Sequence, residues 1–114
     1  MGGGGTSQYT AMDKIAMLKE ILAQNPNDAF ARYGLAMEHA SHGDTAAALE
    51  EFQQLTAAHP DYTAGYQMAA QLLLKAGRDG EARQRLEAGV AAAQRTRNSL
   101  ALNEMSAMLD ELST

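Results

Sequence analysis

Residues 35–52 read LAMEHASHGDTAAALEEF, and 34 positions later residues 69–86 read AAQLLLKAGRDGEARQRL. Laid over one another, the stretches keep Ala36 over Ala70, Gly43 over Gly77, Ala48 over Ala82 and Phe52 over Leu86. Pro26 and Pro60 are separated by the same 34 residues. Agreement in both spacing and residue character marks an internal repeat, and a period of this length belongs to stacked supersecondary units.

Inside each unit the apolar spacing is helical. Leu35, Ala36 and His39 fall at i, i+1 and i+4, and Ala69, Ala70 and Leu73 repeat the pattern. After the glycine, Ala48, Leu49, Phe52 and Leu55 trace a second stripe, mirrored by Ala82, Leu86, Gly89 and Val90. Gly43 and Gly77 stand where the first helix must stop, because glycine adopts the left-handed conformation that closes a helix C-terminus. Asp44 and Asp79 are placed to offer side-chain oxygens to the start of the second helix. Pro60 ends that helix, since the residue before a proline is pushed out of the α region. Ala36 with Ala48, and Ala70 with Ala82, are the small residues that let the two helices of a pair approach.

The flanks extend the stack. Residues 12-MDKIAMLKEILAQNP-26 read as the second helix of a preceding unit, with Ile15, Leu18, Ile21 and Leu22 as its apolar face. Lys14 stands there in register with Ala48 and Ala82, at a position that needs no small residue when the partner helix is missing. Leu102, Met105, Ser106 and Leu109 read as a first helix displaced about two residues from the period, with Glu104, Asp110 and Glu111 keeping its outer side polar. The organisation expected is residues 1–11 as a flexible leader, native or left by cloning, and 12–114 as a single domain. That domain comprises an N-terminal helix over 12–25, repeat one over 29–62, repeat two over 63–96 and a capping helix over 98–112.

Composition narrows the function classes. The chain of 114 residues has no cysteine, which removes disulfides and thiolate chemistry and fits a cytoplasmic address. No apolar run reaches the roughly 20 residues that span a bilayer, so no membrane association is expected. A net charge of −5 argues against nucleic acid. Arg78, Arg83, Arg85, Arg95 and Arg97 do cluster, but Glu81 and Glu87 interleave with them as on a solvated helix face.

The 34-residue helix–turn–helix resembles the tetratricopeptide repeat. Leu35, Ala36, Gly43, Ala48, Phe52, Leu55 and Pro60 carry the likeness in the first unit, and Tyr66, Ala69, Ala70, Leu73, Gly77, Ala82 and Leu86 in the second. Three positions depart from the family pattern. Arg32 stands where a large apolar residue is usual, His39 replaces tyrosine, and Gln94 falls where a closing proline would be. The last departure predicts a final helix that runs on. The fold implied is all-α, a right-handed α-solenoid of antiparallel helix pairs with about six helices.

The resemblance also implies a function, a non-catalytic module that binds a peptide or partner helix in a concave groove lined by first helices. By position that groove presents Phe30, Tyr33, Met37 and Ser41 from repeat one and Ala64, Gln67, Gln71 and Lys75 from repeat two, with Asn103 and Ala107 of the capping helix as weaker contributors. The family's carboxylate clamp is excluded, because Tyr33, Met37 and Met68 occupy its positions and only Lys75 is cationic. Aromatic and methionine side chains suit apolar anchors, and the glutamine amides suit a peptide backbone. The alternative is a structural unit forming a homodimer through the unpaired N-terminal helix, with Met12, Ala16 and Met17 at the contact.

Catalysis, metal and cofactor readings are weaker. Ser41, His42 and Asp44 are neighbours in one turn and cannot form the sequential hydrogen bonds of a triad. His39 and His42 lack a third ligand, since Glu38 points about 100° away from His39 around the helix. His39 is expected in the repeat core and His42 at the helix end. The GGGG run leads into no phosphate loop.

Overall fold

The computed structural model describes residues 11–114, with side chains from residue 13 onward. It is built of six helices: α1 (Ala11–Gln24), α2 (Ala29–Ser41), α3 (Thr45–Ala58), α4 (Thr63–Lys75), α5 (Asp79–Thr96) and α6 (Ser99–Ser113). Ala11 already belongs to α1; the rest of the expected leader lies outside the described residues. The helices gather into two compact units divided after Glu51, within α3.

In the first unit, α1 and α2 run antiparallel. Ile15, Leu22, Ala31 and Leu35 form the core, with Leu18 packed against it. The Leu18 methyls lie 3.5 and 3.6 Å from where a Cβ would sit on Gly34, so the two helices meet there with room for ordinary van der Waals contact. Lys14 pairs with Glu38 across the two helices at 3.2 Å. Ile21 departs from the expected apolar face and is 40% exposed, while Met17 is 60% exposed. Arg32, set where the family places an apolar side chain, reaches α3 and pairs with Glu51 at 2.6 Å. Its guanidinium also donates to the Pro26 carbonyl.

In the second unit α4 and α5 form an antiparallel pair and α6 packs against α5. Tyr66, Ala70, Leu86, Ala92, Ala93, Ala101 and Met105 make one core. Gly89 is what lets Met105 in, because a Cβ there would meet the Met105 sulfur and lie 2.9 Å from the Tyr66 Cβ. The Tyr66 hydroxyl donates to the Pro60 carbonyl at 2.8 Å, tying α4 to the turn that precedes it.

The turns follow from their residues. Gly43 and Gly77 adopt φ of 77° and 75°, and the N–H groups of Asp44 and Arg78 reach back to the His39 and Leu73 carbonyls. Asp44 then caps α3 by accepting from the Ala47 N–H. Asp79 does not do the same. Counted from Gly77, the capping position falls on Arg78, which makes no side-chain cap. Arg78 instead binds Glu81 through two hydrogen bonds, and these hold the Glu81 carboxyl below its ordinary pKa. The helix with Gln94 in place of a closing proline runs for 18 residues against 14 in α3. It stops at Arg97, whose φ of 57° is the left-handed closure that glycine supplies elsewhere.

Candidate functional site

Phe30, Tyr33, Met37 and Ser41 are spaced by three or four residues and fall on one strip of α2. Asp28 fixes the start of that helix by accepting from the Ala31 N–H at 3.0 Å. Ala31, Leu35 and Ala36 bury the opposite face, so the strip is turned outward. Phe30 is 79% exposed and Met37 36%. Tyr33 is half-buried, and that burial raises its phenol pKa. The Ser41 hydroxyl donates to the Glu38 carbonyl at 2.9 Å, so it finishes the helix as much as it faces outward.

The second strip belongs to α4, where Gln67, Gln71 and Lys75 recur every four residues while Tyr66, Ala69, Ala70 and Leu73 are buried behind them. Gln71 and Lys75 are exposed. Gln67 donates from its amide to Glu104 of α6 at 3.0 Å. Asn103 and Ala107 on α6 are exposed as well.

One residue escaped the sequence reading. Leu100, on the first turn of α6, is 69% exposed. It stands two residues after the Asn98 cap, as Phe30 stands two after Asp28. The 34-residue period misses the match. In repeat one, α3 and the following turn take 14 + 4 residues, whereas α5 and its turn take 18 + 2. Counting from helix starts rather than by the period would have found it.

His39 is half-buried, not part of the core, and His42 is the exposed C-cap of α2. Asp44 is occupied by its cap and Ser41 by its carbonyl. No group of three metal-ligating side chains occurs among the described residues. The arginines staple helices. Arg95 binds Asp61 and the Pro60 carbonyl, Arg83 binds the Leu112 carbonyl, and Arg85 lies 5.0 Å over the Tyr66 ring while donating to Gln53. No described helix is long and apolar enough to cross a membrane.

Antiparallel helix pairs closed by left-handed glycines define an α-helical repeat protein, an all-α solenoid in class. The tetratricopeptide repeat model matches residues 39–103, and the chain belongs to that family. Among solved structures it is similar to a tetratricopeptide repeat domain protein from Salinibacter ruber, with 28% identity, a TM-score of 0.72, and 77% of this chain and 89% of that one covered. A protein of Bordetella parapertussis is 27% identical, with a TM-score of 0.73 over 87% of this chain and 86% of that one. The Yersinia enterocolitica type III secretion translocator chaperone SycD shares the fold at 17% identity, with a TM-score of 0.79 over 95% of this chain and 85% of its own. No curated protein matches the chain in sequence.

Proposed function

We propose that residues 12–114 work as one non-catalytic interaction domain that binds a peptide or partner helix through the outward strips of its first helices. The carrying observation is the exposure of Phe30 and Met37 on a helix whose other face is fully used by the core. Large apolar side chains left in water beside a half-buried tyrosine are the composition of binding surfaces. On α2 they suit apolar anchors of a ligand. On α4, Gln71 and Gln67 suit backbone amides, and Lys75 suits a carboxylate.

The test is capture of binding partners by the intact chain beside its Tyr33→Ala and Gln71→Ala variants, followed by affinity measurement. Both variants should weaken the captured ligand by about tenfold while leaving helical circular dichroism unchanged. Equal affinity for both variants and the parent chain would remove the strips as the site.

A second reading, a homodimer through α1, is favoured by the exposure of Met17 and Ala16; Met12, its third member, has its side chain outside the described residues. Sedimentation across concentration tests it, and a monomer at high micromolar concentration sinks it.

A further inference from the structure

The second unit carries, between α4 and α6, a carboxylate that the fold does not neutralise. Gln67 of α4 donates its amide N–H to Oε1 of Glu104 on α6 at 3.0 Å. A carboxylate only accepts, so the amide nitrogen faces Glu104 and the amide oxygen is turned away from it. Among the described residues nothing donates to that oxygen, and no cation pairs with Glu104. Gln67 Oε1 and Glu104 Oε2 therefore stand as two neighbouring acceptors open to water, held in place by the hydrogen bond between their side chains.

The surrounding charges leave this spot negative. Lys75 lies eight residues beyond Gln67, about 12 Å farther along α4, past the roughly 8 Å over which exposed charges act at physiological salt. Arg97 precedes α6, about two helical turns from Glu104. Arg83 and Arg95 are held by the Leu112 carbonyl and by Asp61, and Arg85 by the Tyr66 ring and Gln53. The chain as a whole carries a net charge of −5.

We infer that this acceptor pair binds an arginine of a peptide or protein ligand, an assignment that rests on the interaction-module reading and names the side chain its α4–α6 end selects. Guanidinium is the complement. It is planar and always charged, and its fork of N–H donors reaches a carboxylate oxygen and an amide oxygen together. Lysine meets the pair only as a compact point charge. The surroundings add a second requirement. Leu100, 69% exposed, lies one turn before Glu104 on the same strip of α6, and Ala64 lies one turn before Gln67. An aliphatic side chain next to the arginine covers Leu100, so the ligand segment pairs the two. An acidic residue in the arginine's place would face Glu104 unpaired and is selected against.

The test is selection of a phage-displayed random peptide library on the immobilised full chain, run in parallel on its Glu104→Gln and Glu111→Gln variants. The parent chain and Glu111→Gln should both enrich peptides with arginine beside an aliphatic residue, and Glu104→Gln should lose the arginine. A selected peptide, labelled with fluorescein and read by fluorescence polarisation, should bind Glu104→Gln about tenfold more weakly than the parent. Replacing its arginine by neutral citrulline should cost the parent chain the same factor and cost Glu104→Gln nothing further. Selected peptides without arginine overturn the arginine assignment and leave the interaction-module reading standing. So does an arginine whose replacement costs the parent and Glu104→Gln equally. No enriched peptide on any of the three chains overturns both. A dimer abolished by Glu104→Lys would give the acceptor pair to an arginine of a second copy and overturn the ligand assignment.

Discussion

Two glycines nine residues apart on α5 show how much one hydrogen-to-methyl change depends on surroundings. A Cβ on Gly89 would meet the Met105 sulfur and sit 2.9 Å from the Tyr66 Cβ, which is held by its own backbone. On Gly80 it would meet nothing within 4 Å. Gly89→Ala should therefore destabilise the chain by about 1–3 kcal/mol through overpacking. Gly80→Ala should stabilise it by about 0.5–1 kcal/mol through helix propensity and reduced unfolded-state entropy. Paired thermal melts check both signs, and two shifts in the same direction would contradict the packing at Met105. At this scale the sequence was legible where chemistry is local. Gly43 and Gly77 are recognisable by their place after an apolar stripe, and the structure gives both positive φ. Asp79 was misassigned because the adjacent Arg78 occupies the capping position. The partial exposure of His39 and Ile21 depends on which neighbouring helices are present, and no local spacing encodes that.

At the scale of the element, the informative helix is α5. The missing proline at Gln94 lets it run on, and its closure falls to Arg97, the one described non-glycine residue at positive φ. A side chain there opposes the left-handed conformation that the turn requires. Arg97→Gly should raise stability by about 0.5–1 kcal/mol. Next to it, Asn98 caps α6 by accepting from the Ala101 N–H at 3.1 Å, and Asn98→Ala should lower stability by about 1 kcal/mol. Urea titrations of the two variants should move the midpoint in opposite directions at constant slope. A loss of stability in Arg97→Gly would mean that the arginine side chain makes a contact outweighing its backbone strain. The run-on was readable from Gln94, and the displacement of α6 by about two residues from its apolar spacing. The longer helix and shorter turn shift α6 by two residues, and that shift hid Leu100 from an argument based on period alone.

For the whole molecule, the distribution of buried surface decides which helix opens first. The core beneath α1 rests on Ile15 and Leu22, each 8% exposed, while Leu86, Met105, Ala92 and Ala93 in the second unit are fully buried. Repeat proteins add their stability unit by unit, and an end helix with few neighbours contributes least. Native-state hydrogen exchange should find the α1 amides opening at a lower free energy than those of α5, which should exchange only on global unfolding. Equal opening free energies for α1 and α5 in the free chain would mean that the terminal helix is as firmly held as the core.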